Sequence, residues 1–84
     1  MSLDSDFETA ANNARNLSKK PSDKDLLTLY ALYKQATSGD NTTSRPGFTD
    51  FTGKAKWDAW TEKKGLSQEN AKKEYILFVQ KLQN

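Results

Sequence analysis

The sequence predicts an all-α fold, a four-helix bundle, on three observations. Apolar residues recur at helical spacing in separate stretches. Serines stand just ahead of two of those stretches and glycines follow two of them. Val79 and Ile76 are the only Val and Ile in the chain, too few β-branched aliphatics to build a sheet.

The first stretch carries Phe7, Ala10, Ala11, Ala14 and Leu17 on one stripe, with Asp4, Asp6 and Glu8 near the positive N-terminal end; it predicts a helix from about Asp4 to Leu17. Lys19-Lys20-Pro21 breaks the pattern. Ser22, followed by Asp23 and Asp25, is an N-cap for a second helix that ends near Ser38-Gly39. From Leu26 to Tyr33 only Thr28 interrupts the apolar run, more apolar surface than one buried stripe needs, so one face is available for packing and another for a ligand. Ser38 to Asp50 is rich in Gly, Asp, Asn, Thr and Ser and contains Pro46, which predicts a long loop between helices two and three. A third helix is expected over Phe51 to Lys64, stopping at Gly65. Ser67 caps a fourth, whose stripe is Ala71, Tyr75, Phe78, Val79 and Leu82. No repeat or composition shift divides the chain, and residues 1–84 read as a single domain.

Composition narrows the chemistry. A chain of 84 residues buries roughly 60 to 65% of the surface its unfolded form exposes, so its core is modest. The formal charge of +2, from 13 basic and 11 acidic residues, is too balanced for a protein whose main partner is duplex nucleic acid. With no Cys and no His, disulfides, thiolate nucleophiles, imidazole acid–base chemistry and zinc sites built on those ligands are excluded. No metal and no cofactor is expected. Neither a secretory signal nor a run of ~18 apolar residues is present, and the expectation is a cytoplasmic monomer.

Tyr30 and Tyr33, three apart, share a helical face with neighbouring Lys34. Any one Tyr at helical spacing is more often a packing residue, and the functional reading is weaker for Tyr75 than for Tyr30 and Tyr33. Two beside a lysine suit a nucleotide, because a ring stacks on a base for ~1 to 3 kcal/mol and an ammonium donates to phosphate. Lys54 and Lys56 are two apart on helix three and point to different sides. Trp57 and Trp60 read mainly as packing residues. Gly47 to Gly53-Lys54-Ala55 is not a phosphate-cradling loop: five residues separate the glycines where four are needed, and Ala55 replaces the magnesium-binding hydroxyl.

Taken together, Tyr30-Ala31-Leu32-Tyr33-Lys34-Gln35-Ala36-Thr37, Arg45-Pro46-Gly47 and Gly53-Lys54-Ala55-Lys56-Trp57-Asp58-Ala59-Trp60 resemble the acyl-CoA-binding protein family, and the likeness extends from Phe7 to Leu82. The resemblance implies an up-down-down-up bundle that binds long-chain acyl-CoA esters as an intracellular carrier, not an enzyme, with transient contact to membranes or acyl-CoA-using enzymes. It implies that Tyr30, Tyr33, Lys34 and Tyr75 hold the adenine and ribose 3′-phosphate and that Lys56 reaches the phosphates, with Lys54 a secondary charge. Arg15 stands where the family commonly has a Lys and keeps the charge with a fork suited to phosphate. Leu27 and Ala11 are the candidates for the acyl-chain groove. Two departures stand out: Thr52 where many members have a further Lys, and Ala14 where a larger aliphatic often packs.

Two other classes compete on composition alone. A helical protein-interaction module predicts no affinity for free acyl-CoA. A single-stranded nucleic-acid binder predicts strongly salt-dependent oligonucleotide binding, against which the balanced charge counts.

Overall fold

The computed structural model describes residues 2–84. Among them are four α-helices: α1 (Leu3–Arg15), α2 (Asp23–Ser38), α3 (Phe51–Thr61) and α4 (Gln68–Gln83). Each starts on a side-chain cap that satisfies one of the unpaired N–H groups of its first turn. Ser2 accepts from Ser5 N at 3.0 Å, Ser22 from Asp25 N at 3.1 Å, Asp50 from Gly53 N at 2.9 Å and Ser67 from Asn70 N at 3.0 Å. The Asp50 cap explains Gly53, since a Cβ there would overlap the Asp50 carboxylate.

Two helices end earlier than the pattern predicts. α1 stops at Arg15 rather than Leu17, because the Asn16 side chain donates back to Asn12 O at 2.9 Å and its own N–H turns to Asn13 O. A side-chain amide competing for backbone groups is a local alternative to helix. α3 stops at Thr61 rather than Lys64, as Lys63, Lys64 and Leu66 donate to the carbonyls of Trp60, Thr61 and Lys63 in tight i to i+3 turns. Gly65, at φ +91°, then reverses the chain into α4.

Helix directions follow from the residues that meet. Asp4 pairs with Lys72, and Phe7 meets Tyr75 with ring centroids 5.1 Å apart; both positions advance together, so α1 and α4 are parallel. Gln68 at the start of α4 bonds Ala36 O near the end of α2, which makes that pair antiparallel. On α2 Tyr30 faces Lys56 and Lys34 faces Trp60, again advancing together, so α2 and α3 are parallel. The order is therefore up-down-down-up.

Not every helix touches every other. α4 packs on α1 and α2, and α3 packs on α2 alone; among the described residues α1 and α2 do not meet at backbone level. The result is a row α1, α4, α2, α3, with principal extents of 40 × 28 × 14 Å. Its core of Phe7, Leu29, Leu32, Ala71, Tyr75 and Val79 lies where α4 meets α1 and α2.

Parallel neighbours need a long return. Segment 39–50 must run from the end of α2 back to the level of Leu26, ~18 Å at 1.5 Å per helical residue. It is held by side chains throughout. Trp60 Nε1 donates to Gly39 O and Trp57 Nε1 to Thr43 O, at 2.9 and 3.0 Å. Asn41 donates to Thr61 Oγ1, and Arg45 forms a two-pronged pair with Asp58 at 3.0 and 2.9 Å. Both tryptophans are thus packing residues with a second task, since their indole N–H groups fasten the loop.

The tie at the head of the loop is buried. Gln35, fully enclosed, donates to Asp40 Oδ1 at 2.8 Å and to Leu66 O at 2.7 Å, and Asp40 Oδ1 also accepts from Gly65 N. One amide therefore fastens α2 to its own outgoing loop and to the α3–α4 turn. Gln35→Leu, which leaves Leu66 O and Asp40 without that donor, is expected to lower stability by ~2 to 4 kcal/mol in urea unfolding. Bonds from Gly65 N–H and then Gln35 hold the Asp40 carboxyl below the usual carboxylate range. Because the folded value is the lower one, the stability it contributes is complete above the ordinary carboxylate pKa and is lost as pH falls through the folded value. Asp40→Asn should flatten that acid limb of the stability curve and leave its slope near neutrality unchanged.

Candidate functional site

Small residues on α1 open the space between α1 and α2. Ala11 and Ala14 face Leu26, Leu29, Tyr30 and Tyr33 across a cavity of about 300 Å³ that also touches Arg15 and Tyr75. It shares Leu26 and Tyr30 with a second cavity of about 400 Å³ between α2 and α3, where Leu27, Phe51, Ala55 and Lys56 join Asp23 and Thr52 in the wall. On its other side it shares Ala11, Arg15 and Tyr33 with a third, of about 540 Å³, walled by Asp4, Glu8, Asn12, Gln68 and Lys72. The three form one groove across the open face of the row. Ala14 does pack against the core, but its small size also leaves room in the central cavity.

An aromatic trio makes the floor. Phe7 stacks on Tyr33 with centroids 5.5 Å apart and planes 24° from parallel, and Tyr75 lies tilted at 5.1 Å from Phe7 and 5.9 Å from Tyr33. Such pairs contribute ~0.5 to 1.5 kcal/mol each beyond burial. Tyr75 is 5% exposed, so its chemistry is that of a buried phenol. Burial pushes its pKa up, Tyr33 adds to the rise, and Arg15 opposes it.

The positive charges stand around this floor. Lys56 lines the α2–α3 cavity, its Nζ 5.4 Å from the Tyr30 ring centre. Arg15 lies exposed at the junction of two cavities, donating to Asn12 Oδ1 at 3.1 Å. Lys34 and Lys54 line none of the three cavities; their ammoniums sit over Trp60 and Phe51, each 4.9 Å from the ring centre. None of these four cations is in an ion pair among the described residues. Cations with rings for neighbours and no carboxylate partner keep their charge available to an incoming anion.

Of the residues singled out from sequence, Ala11, Arg15, Leu27, Tyr30, Tyr33, Lys56 and Tyr75 are brought together along the groove. Tyr30 and Tyr33 do line one cavity, as expected, but the expectation that Lys34 shares the face of Tyr33 is corrected: Tyr33 turns toward Phe7 and Tyr75, while Lys34 turns toward α3. The 100° step of a helix separates neighbours that far, and two different partner helices take them up. Sequence reasoning missed Leu26, Phe51 and Ala55. Phe51 and Ala55 are four apart on α3 and so share a face beside Lys56, a signal that was readable.

The groove defines a class: a small helical binding protein whose open face joins apolar walls to unpaired cations. The chain belongs to the acyl-CoA-binding protein family, since the family model described as "Acyl CoA binding protein" matches residues 4–79. It is 57% identical over 83 residues to the acyl-CoA-binding protein homolog of Manduca sexta, covering 98% of this chain and 92% of that one. With the homolog from Drosophila melanogaster it shares 54% over 76 residues, 90% and 88% of the two chains. The crystal structure of Oryza sativa acyl-CoA-binding protein 2 superposes with a TM-score of 0.93 at 44% identity, covering 96% of this chain and 90% of that one.

An ultraviolet difference titration of the wild type against Tyr75→Phe should place the Tyr75 phenol above the ordinary tyrosine pKa. Arg15→Ala, which removes the one opposing charge, should raise it further.

Proposed function

We propose that this chain binds long-chain fatty acyl-CoA esters and carries them, without catalysis, as a monomeric cytoplasmic protein whose residues 1–84 act as one binding domain. The observation that carries this reading is the adjacency of the cavities: apolar walls at Leu26, Leu27, Phe51 and Ala55, with Lys56 beside them, meet at Leu26 and Tyr30 a second cavity that Arg15 lines. An acyl-CoA has that same polarity, a long hydrocarbon at one end and phosphates with a flat base at the other. Membership of a family named for acyl-CoA binding supports the choice of ligand.

In this reading Arg15, Tyr30, Lys34 and Lys56 take the nucleotide and its phosphates by charge-assisted hydrogen bonds, Tyr33 and Tyr75 back the base, and Lys54 adds an outer charge. Exposed members of the set contribute little one by one and more where the bound nucleotide excludes water. The acyl chain lies against Ala11 and the α2–α3 wall around Leu27. Thr52, on that wall, supplies no charge to the phosphates. With neither His nor Cys the chain has no imidazole and no thiol to offer for acid–base or nucleophilic chemistry, in keeping with a carrier. Among the described residues no helix is long and apolar enough to cross a membrane, so transfer would be by transient contact with membranes or receiving enzymes.

Two measurements test the reading. Calorimetric titration with acyl-CoAs of rising length, below their micelle concentrations, should show affinity increasing about fifteenfold for every two added carbons until the groove is filled, at ~0.8 kcal/mol per methylene. Length-independent affinity would sink the chain assignment. Lys56→Ala and Tyr33→Ala should each weaken palmitoyl-CoA binding by about tenfold or more with helical circular dichroism retained. Unchanged binding in both would refute the site.

A further inference from the structure

Two of the ring–cation contacts are reciprocal. α2 presents the Tyr30 ring and, one turn on, the Lys34 ammonium; α3 runs parallel and presents the Lys56 ammonium and, one turn on, the Trp60 ring. The two rings differ in one respect. Tyr30 lines the groove, whereas Trp60 is 7% exposed and lines none of its cavities. Trp60 is also fixed, its indole N–H donating to Gly39 O at 2.9 Å.

A lysine side chain samples many rotamers, and a site that must freeze one loses affinity in doing so. An immobile indole under Lys34 removes part of that loss before any ligand arrives. The ring occupies one side of the ammonium and leaves its remaining N–H donors free for an anion. The loop tie and the ring contact are thus two ends of one side chain: the bond to Gly39 orients the ring, and the ring places the charge.

We propose that Trp60 is a positioning residue of the binding site, acting through Lys34, which it holds in place for the phosphates of the ligand without touching the ligand itself. This rests on the acyl-CoA reading of the groove. Lys34 then contributes from the rim, outside the cavity walls, and stays on the indole when the site is filled. Its place outside the cavity walls is accounted for in the same way.

The test is a double-mutant cycle on palmitoyl-CoA affinity by calorimetry, using the whole chain as wild type, Trp60→Leu, Lys34→Met and the double variant. Trp60→Leu is expected to lose roughly threefold to tenfold in affinity when Lys34 is present and nothing further in the Lys34→Met background. Equal losses in both backgrounds mean a purely structural tryptophan and overturn the proposal. Failure of the wild type to bind is a different result, which removes the acyl-CoA reading itself and the positioning role with it. Should Trp60→Leu not fold, Trp60→Phe, which keeps a ring but loses its bond to Gly39, takes its place in the cycle, with a smaller loss expected only when Lys34 is present; an equal loss in both backgrounds again overturns the proposal. Proton NMR reads the contact directly in the wild type: the Lys34 ε-methylene signal should be shifted upfield by the indole and remain so at saturating palmitoyl-CoA. An unshifted signal in the free protein, or a shift lost on saturation, overturns the proposal.

Discussion

The buried amide of Gln35 is the interaction on which the rest of this structure depends. Two parallel helices joined by a long loop have no turn geometry to fix their spacing, unlike antiparallel neighbours joined by a few residues. Gln35 supplies that fixity at one point, binding the carboxylate that opens the loop and the carbonyl that precedes α4. Its own Oε1 is buried without a hydrogen-bond partner among the described residues. An unpaired buried oxygen has a desolvation cost, which the two donated bonds offset, the more so where the acceptor is held by another contact as well. Asp40 is one such acceptor, anchored by Gly65 N–H.

From that clamp the register of α2 on α3 follows, and from the register the groove. Tyr30 opposite Lys56 and Lys34 opposite Trp60 keep the same offset along the two helices, so a shift of one turn would lose both contacts together. Trp57 and Trp60 hold the loop against α3 from outside, as Arg45 does through Asp58, whose carboxyl is lowered in pKa by the same guanidinium bond. The open face between α1 and α2 exists because α4 alone bridges them and because α1 presents Ala11 and Ala14 there. Leucines at those positions would fill the space that the groove now occupies.

Much of this was legible in the chain. Helix number, the loop from Ser38 to Asp50 and two serine caps follow from periodicity and punctuation, which are local properties. The caps at Ser2 and Asp50 were equally local but less marked, since neither precedes a clear apolar run. Side-chain direction was less accessible. That Lys34 turns to Trp60 while Tyr33 turns to Phe7 depends on where α3 and α1 lie, and no spacing within α2 encodes it. Resemblance to a family supplied the topology, which periodicity could not. The Gln35 clamp was invisible for a related reason: its acceptors lie 5 and 31 residues away, and a glutamine within a helix has no distinguishing pattern.

The parallel pairing of α1 with α4 joins the first helix to the fourth, with Asp4 and Lys72 separated by 68 positions in sequence. Among the described residues α1 has no other helix to pack on at backbone level. During synthesis α1 is therefore made before the surface it docks on, because that surface exists only once α4 has followed. Closing so long a loop delays the contact that rewards it. α2 and α3, neighbours with their tie already in hand, can form ahead of it, whereas the bundle as a whole becomes cooperative only once α4 is in place.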